Sequence, residues 1–279
     1  MTMTTRTLSV PSPPVLVFEL AMPDGYAEVI ADDIDHVEIT LSTNATDDSP
    51  AARAIADATL TTRGSAVRLN LPASGRGTVT VISRHTVVTG TVTGLVIDGA
   101  GTVILGDGAV VTSRGDVRAT IRLPRGSNLR VKTRSARVLT RGPLAVVDFD
   151  SVSGDLDVAE AHTLAATTKS GDVHASKTDT ASVQTVSGNI WMGLTTVAVL
   201  GTTSGDIRIR DFGGSARLTT VSGDITVTAT LPGRLCATST SGSITTLVAH
   251  DVPPGALIVE ARSVSGRVLG PRRNYVTAR

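Results

Sequence analysis

Side chains that can bind a metal ion recur at one place in the second half of the chain, directly after a glycine. They are Asp155, Asp172, Asn189, Asp206 and Asp224. Stacked oxygen ligands of this kind suit Ca²⁺, which takes about 6–8 of them. The alternative is that each side chain accepts a hydrogen bond within its own tight turn. Ser243 and Arg267 interrupt the series, and the glycine- and aspartate-rich nonapeptide typical of Ca²⁺-binding coils is absent, so we predict turn capping and no metal site.

A second row of side chains lies three residues after each of the same glycines. The row reads Asp157, His174, Trp191, Arg208 and Thr226. Strand alternation predicts that this row points outward. Trp191 is the only Trp of the chain, exposed Trp and Arg are enriched at binding hot spots, and Arg208 is placed to stack on the indole. We predict an interaction surface at His174, Trp191 and Arg208; the alternative is that Trp191 lies under a neighbouring loop or under the N-terminal part of the chain.

Groups that would support catalysis are present but scattered. The five His residues, at positions 36, 85, 162, 174 and 250, show no ligand spacing such as H-x-x-x-H. Asp148, Asp150 and Asp157 could supply paired acids, as on the coil face of a solenoid enzyme, but solvated strand residues explain them equally well. No nucleophile, base and orienting group can be proposed together. The sequence therefore predicts a protein that is not an enzyme and takes no cofactor.

The glycines define a repeat. They are Gly154, Gly171, Gly188, Gly205, Gly223, Gly242 and Gly266, with spacings of 17, 17, 17, 18, 19 and 24 residues. A near-constant period of this size is typical of a solenoid. Apolar residues stand seven and five positions before each glycine, a Ser or Thr stands three before it, and apolar residues mostly follow it by two and four. Small side chains at these inward positions indicate a thin core between two sheets.

The inward pattern changes parity across each Ser-Gly-Asp. This predicts a sharp corner between two short strands, at which glycine supplies a positive φ. A looser connection of about five residues is expected to lead to the next coil. Earlier copies are degenerate: Ala136 takes the glycine slot in one, and Arg114 takes the serine slot in another. Arg114-Gly115-Asp116 also spells the tripeptide that animal integrins recognise, but a degenerate corner explains it better.

The serial TxSGDIxV copies, with the segment IRLPRGSNLRVKTRSARV (Ile121 to Val138) that leads into them, resemble a known family. It is the bacterial "putative adhesin" β-repeat family of unknown function, also called the toastrack domain. The N-terminal layout of strands, a short helix and a strand up to Leu71 is similar too. The resemblance implies the fold more than an activity. Its members are described as envelope-stress or surface-associated proteins, often attached to transmembrane helices, from which this sequence departs by showing none.

The fold class is predicted to be all-β, a β-solenoid or β-helix-like stack of two-strand coils with a strand-rich N-terminal cap. We divide the chain into an N-terminal arm (1–14), a β cap with a short helix capped by Ser49 (15–71), a Gly/Thr/Val-rich β region (72–128), the Ser-Gly-Asp solenoid (129–270) and a basic tail (271–279). Residues 72–128 are expected to continue the solenoid. The alternative is that residues 72–115 are an insertion that forms its own hairpins.

Composition bounds the partners and the location. Net charge is +1 and no basic stripe alternates with aromatics, so nucleic-acid binding is not predicted. A single Cys excludes an internal disulfide. The first residues carry no signal-peptide pattern, and no apolar run of about 18 residues could span a membrane. We expect a cytoplasmic protein, or a virion component if a phage encodes it. The Arg-over-Lys bias suggests a high-GC, actinobacterium-like source.

These observations favour a non-enzymatic structural or interaction protein. Rigid stacking would give a scaffold with repeating side-chain rows, suited to protein–protein contact or to self-assembly, including a homo-oligomer, in a bacterium or phage. One alternative is a virion or cell-surface component with an adhesin-like role. Another is a solenoid enzyme acting on carbohydrate, which would need acids with separated pKa values in a groove.

Overall fold

The computed structural model describes residues 4–13, 15–45, 49–73, 79–83, 86–90, 103–105, 109–111 and 117–274. The N-terminal elements are β1 Thr4–Pro11, β2 Val17–Ala21, β3 Tyr26–Asp32, β4 His36–Thr43, α1 Pro50–Ala56, β5 Thr59–Arg63 and β6 Ala66–Asn70. The following elements are β7 Val79–Ser83, β8 Thr86–Gly90, β9 Val103–Leu105, β10 Ala109–Val111, β11 Arg118–Pro124, β12 Asn128–Lys132 and β13 Arg137–Asp150. The remaining elements are β14 Leu156–Thr167, β15 Val173–Gln184, β16 Ile190–Thr202, β17 Ile207–Thr220, β18 Ile225–Ser239, β19 Ile244–Ala249, β20 Leu257–Ser263 and β21 Val268–Asn274.

The repeats form the predicted all-β solenoid. Strands β13 to β18 pair in parallel, each with the next, in one 17-stranded sheet that folds into two layers around a common core. The register steps by one repeat, so that Leu156 pairs with Val173 and Val173 pairs with Ile190. Equivalent residues therefore stack in ladders, and the predicted inward rows before and after the corner glycine are buried from Val147 to Ile244.

The connection between coils differs from the predicted loop. Each of β14 to β18 continues as one strand of 12 to 15 residues from one layer into the other. A further buried row marks the bend, and it consists of Ala161, Thr178, Thr195, Phe212 and Ala229. Because neighbouring coils pair on both sides of the bend, the backbone groups there find partners and no loop is needed. The extra residues of the 18- and 19-residue repeats are taken up by register shifts in the same place. The 24-residue step does contain a loop, at residues 250–256 between β19 and β20.

The N-terminal part continues both layers. Strand β3 pairs in parallel with the first half of β13, and β12 joins β2 to the second half of β13. The layers then end in antiparallel pairs, β1 with β4 and β5 with β6. Helix α1 lies between them, with the Ser49 side chain accepting from the Ala52 N–H at 3.1 Å as the sequence predicts.

Residues 4–11 differ from the predicted N-terminal arm, because they form β1 along the whole length of β4. Their outward-inward alternation lets Leu8 pack against the core. Arg6 fixes the strand further, since its guanidinium donates to the carbonyl oxygens of Ile55, Ala56 and Ala58 at the end of α1. Carbonyl oxygens at a helix C-terminus lack the i+4 N–H partner of the helix interior, which is why a guanidinium is stabilising there.

The region 72–128 consists of two structurally different parts. Strands β7 and β8, and β9 and β10, form two separate antiparallel pairs that lie outside the 17-stranded sheet, as the hairpin alternative has it. Only from Val117 and β11 onward does this part of the described chain join the main sheet. Arg114–Asp116 and His85 lie outside the described residues. The predicted tail begins as strand, because β21 extends to Asn274.

Candidate functional site

The corners hold the coils at a fixed spacing. At the Gly154, Gly171, Gly188 and Gly266 corners the Ser or Thr hydroxyl accepts from the glycine N–H three residues later, as in Gly188 N–H to Thr185 Oγ1 at 3.0 Å. From Thr202 onward the hydroxyl donates to the glycine carbonyl of the preceding coil, as from Thr202 Oγ1 to Gly188 O at 3.2 Å. The row is buried from Ser151 to Ser239, which explains why it is restricted to Ser and Thr: the hydroxyl is small and can either accept from a backbone N–H or donate to a backbone carbonyl.

The corner glycines do not supply the positive φ that the sequence pattern suggests. Positive φ occurs elsewhere, for example at Gly25 and Gly142. The corner glycines are instead required by contact between coils. A Cβ on Gly171 would meet the carbonyl oxygen of Gly154 well inside 3.0 Å, and the same holds up the stack to Gly266. Glycine is thus needed for close approach of one backbone to the next.

The Asp and Asn row caps the neighbouring coil rather than its own turn. Asp172 Oδ1 accepts from the backbone N–H of Asn189 at 2.7 Å, and Asn189 Oδ1 accepts from the N–H of Asp206 at 3.0 Å. The same bond joins Asp155 to Asp172, Asp206 to Asp224 and Asp224 to Ser243. Across the parts of the chain that the structure describes, no group of three or more His, Cys, Asp or Glu side chains is arranged to hold a metal ion.

The structure brings the predicted interaction row together on the outside of the first layer. His174 pairs with Trp191, and Trp191 with Arg208, in the parallel register. His174 and Arg208 are exposed and Trp191 is partly exposed. His174 Nδ1 lies 3.2 Å from Asp157 Oδ1, which orients the imidazole. Among the described residues the cation–π contact found is that of Arg118 with Tyr26, at 5.1 Å, rather than one between Arg208 and Trp191.

The surroundings of Trp191 leave room for a partner. Two positions further along the strand the outward row contains Gly193, with Arg210 beside it in the next coil. A Cβ on Gly193 would clash with the carbonyl oxygen of Ser176 in the preceding coil, so only glycine fits at this position. Arg208 and Arg210 are both exposed, and neither forms an ion pair within the described chain. The site, named here the Trp191 face, combines one aromatic ring with two unpaired guanidinium groups.

A notch opens on the outside of the second layer, where sequence reasoning placed no site. Gly201 stands in an outward row whose neighbours are Gln184 and Thr219, so a side chain is missing between them. The cavity is about 350 Å³ and is lined by Gln184, Val199, Thr203, Arg217 and Thr219 around Gly201. The sequence does show a glycine at position 201. That it stands between two larger residues can be recognised only once the strand register is known.

The geometry defines a class: a two-layer parallel β-solenoid with Ser/Thr-Gly corners, a side-chain ladder between coils and an atypical N-terminal cap. Within that class the chain belongs to the Toastrack DUF4097 family, whose model matches residues 77–275. The family resemblance carried by the TxSGDIxV copies is thereby confirmed. No curated protein matches the chain.

Several solved structures are similar to this chain at low sequence identity. A putative lipid binding protein from Parabacteroides distasonis is 12% identical with a TM-score of 0.50, covering 97% of each chain. A putative adhesin from Bacteroides fragilis is 10% identical with a TM-score of 0.40, covering 98% of this chain and 97% of that one. One from Parabacteroides merdae is 8% identical with a TM-score of 0.41, with the same coverage. The described residues include no helix with the length and apolar character needed to cross a membrane.

Proposed function

We propose that this protein is a non-catalytic interaction protein whose rigid solenoid presents the Trp191 face to a protein partner. The observation that carries the proposal is the position of Trp191, which lies partly exposed between two exposed residues, His174 and Arg208, on an open sheet. Trp and Arg are the side chains that most often dominate binding energy at interfaces. Two unpaired guanidinium groups favour a partner with an acidic surface.

Rigidity supports the same role. Neighbouring coils are fixed to each other by backbone pairing and by the Asp or Asn side chain, and from Thr202 onward also by the corner hydroxyl. Side chains on the Trp191 face are therefore held at strand spacing, about 4.8 Å apart. A partner would lose little free energy in ordering them, because preorganisation lowers the entropic cost of binding.

The titratable groups support a non-catalytic role. Catalytic groups usually lie in clefts with strongly perturbed pKa values. Among the described residues the shifts concern solvent-facing pairs: hydrogen bonding to Asp35 and Glu38 raises the pKa of His36, and hydrogen bonding to Glu160 raises the pKa of Lys177. The Lys177 pair lies near the Trp191 face, since Lys177 stands opposite Leu194, but both of its members are exposed and it is not part of a cleft.

The test uses three versions of the protein as bait in a lysate of the source organism: wild type, Trp191→Ala and Leu231→Ala. Leu231 is a matched control, because it is a large apolar residue that is 58% exposed on another part of the solenoid. We expect a partner that is captured by the wild type and by Leu231→Ala and is lost with Trp191→Ala. Its purified form must then bind with the same ranking. Equal capture by all three versions would refute the Trp191 face as the binding site.

The Gly201 notch favours a second candidate function, an adhesin-like role in which the protein recognises an acidic saccharide. A guanidinium matches the geometry of a carboxylate, and Arg217 has no acidic partner in the described chain. Gln184, Thr203 and Thr219 add polar groups for sugar hydroxyls, and Val199 is 44% exposed, so it offers an apolar surface to a sugar ring. Glucuronate titrated into isotope-labelled protein should shift amide signals around Gly201, and Gly201→Val should abolish the shifts. Absence of shifts at millimolar glucuronate would reject this role.

The location belongs to the proposal as well. We place the protein in the cytoplasm, or in the virion if a phage encodes it. Fractionation of source cells with an antibody to the purified chain tests this placement, and recovery from the cell envelope would instead favour the adhesin-like role.

A further inference from the structure

The C-terminal end of the second layer is an open strand edge. Strand β20 pairs with β18 on one side, and no other strand of the described chain pairs with it on the other. The N-terminal end differs, because its layers end in antiparallel pairs and α1 packs against β1 and β4. Open edges are rare in soluble proteins unless charge, proline or a partner protects them, since their backbone groups can pair with another chain.

The hydrogen bonds to β18 show which backbone groups of β20 are free. Gly233 N–H donates to Ala256 O, and Val264 N–H donates to Ser239 O. In a parallel ladder, alternate residues direct their N–H and C=O to the same neighbour. The even-numbered residues of β20 therefore face β18. Val259, Ala261 and Ser263 direct their N–H and C=O groups to the open edge.

The outward side chains of β20 form a pattern that is symmetric about Ala261. Glu260 and Arg262 stand on either side of it, and both are exposed. Beyond them stand Ile258, which is 55% exposed, and Val264, which is 77% exposed. Acid and base thus occupy mirror positions, as do two apolar residues. A strand of this kind is complementary to an antiparallel copy of itself.

We propose that a second copy of this chain pairs with the first through β20, antiparallel and centred on Ala261, so that the second layer continues across a two-fold axis. Glu260 of each copy then lies opposite the partner's Arg262, and Ile258 lies opposite the partner's Val264. These are the non-hydrogen-bonded positions of the ladder, at which side chains approach most closely. The free backbone groups of Ala261, Val259 and Ser263 supply the hydrogen bonds.

Other registers are less favourable. Centring the pair on Glu260 or on Arg262 would place like charges opposite each other, which is destabilising. A slip by one residue would pair odd-numbered residues of one copy with even-numbered residues of the other. The backbone N–H and C=O groups of those even-numbered residues already bond β18. The register centred on Ala261 satisfies both the charges and the backbone.

The inner face of the last coil supports the same pairing. Val259 and Ala261 continue rows that are buried in the coils before them, yet here both are only partly buried. In a second copy related by an axis normal to the sheet, Ala261 would lie beside the partner's Ala261 and Val259 would lie beside the partner's Ser263, so the inner face of the layer would continue across the axis. Because the pairing is isologous and uses the same edge of both copies, the assembly closes as a dimer. Strand β21 is a poorer site, since its Pro271 has no N–H to donate.

The experiment measures molar mass by light scattering and sedimentation over a range of concentrations. The wild type should reach twice 28.6 kDa. Arg234 of the same chain forms an ion pair with Glu260, so the charge reversals are made in an Arg234→Gln background, which should itself dimerise. In that background Glu260→Arg alone and Arg262→Glu alone should each raise the dimer dissociation constant at least about tenfold, because like charges then face each other twice. The double variant Glu260→Arg/Arg262→Glu restores the opposite charges and should restore the dimer.

Two controls keep the outcomes distinct. Arg63→Glu reverses an exposed charge on edge strand β5 at the far end, and it should leave the dimer intact. Trp191→Ala should also dimerise, so failure of the dimer and failure of the proposed function are separate results. A wild-type protein that stays monomeric at every concentration would overturn the proposal. So would a dimer that ignores both single reversals, or one that the double variant fails to restore.

Discussion

The carbonyl oxygen of Gly171 occupies the space in which a Cβ on Gly188 would lie. The two residues are 17 positions apart in sequence and directly stacked in adjacent coils. The same relationship recurs between Gly188 and Gly205 and between Gly205 and Gly223. Each corner is therefore a point of backbone contact, and the coil spacing depends on the missing side chain.

Gly188→Ala should destabilise the protein by about 3 kcal/mol or more, because the methyl group meets backbone that cannot move without separating two coils. Urea unfolding followed by circular dichroism measures the loss. Gly270→Ala is the matched control: a Cβ there meets nothing within 4 Å, so unfolding should change little. Equal stability of Gly188→Ala and the wild type would show that the coils can separate at the corner at low cost.

The sequence was sufficient to predict the solenoid because both strand alternation and the repeat are local patterns. Leu156 and Val173 are buried as their alternation predicts. The reason for the corner glycine was wrong, since the contact that requires it joins Gly171 to Gly154, which no local rule brings together. Strand β1 was missed for a similar reason: its partner β4 and the Arg6 contact to α1 are long-range.

The Asp and Asn ladder should contribute to stability between coils. Asp172→Ala removes an acceptor from the backbone N–H of Asn189 and from its side-chain amide, at 2.7 and 3.3 Å. We expect a loss of about 1–2 kcal/mol, as for other side-chain caps of backbone N–H groups. Asp172→Asn keeps the acceptor and should stay near the wild type.

The control for the ladder is Asp211→Ala, which removes an exposed Asp that makes no hydrogen bond within the described chain. Chemical unfolding of the three variants gives the comparison. If Asp172→Ala and Asp211→Ala proved equally stable, the ladder would be a consequence of stacking and not a cause of it.

Two buried hydroxyl groups lack a hydrogen-bond partner. Thr246 Oγ1 and Thr140 Oγ1 are buried without a hydrogen-bond partner. Thr246 stacks on Val227 in an otherwise apolar row. Thr246→Val keeps the shape and removes the unpaired polar atom, so it should raise the free energy of unfolding by about 1–2 kcal/mol. Thr178→Val, which removes a hydroxyl that does bond Thr195 at 3.4 Å, should give no gain. A loss of stability on Thr246→Val would indicate a partner for the hydroxyl in solution.

Stability should depend on pH through His36. Hydrogen bonds to Asp35 and then to Glu38 raise the pKa of His36 above its ordinary 6.5. A raised pKa means that the folded state binds the proton more tightly, so this contribution is complete below pH 6.5 and is lost as pH rises through the folded pKa. The pKa values of Asp35 and Glu38 are lowered, mainly by the hydrogen bond to His36, so their contribution is lost as pH falls below 3.8 and 4.5.

The melting temperature should therefore fall from pH 6.5 upward in the wild type, and His36→Gln should flatten that fall. The groups face solvent, so the effect will be small and will weaken with salt. Thermal unfolding between pH 5 and pH 8.5 tests it. Parallel curves for the two proteins would show that the His36 pairs do not form in solution.

Truncation of two neighbouring residues of β16 should cost very different amounts of stability. Met192 is 2% exposed and fills the core between Ala175 and Ile209, so Met192→Ala should cost about 2–5 kcal/mol. Trp191 points outward beside Gly193, and Trp191→Ala should cost about 1 kcal/mol or less, since little apolar surface is lost from the interior. Urea unfolding measures both, with Met192 as the internal standard. If Trp191→Ala proved as costly as Met192→Ala, the indole would be covered by another part of the chain, and the Trp191 face would not be free to bind.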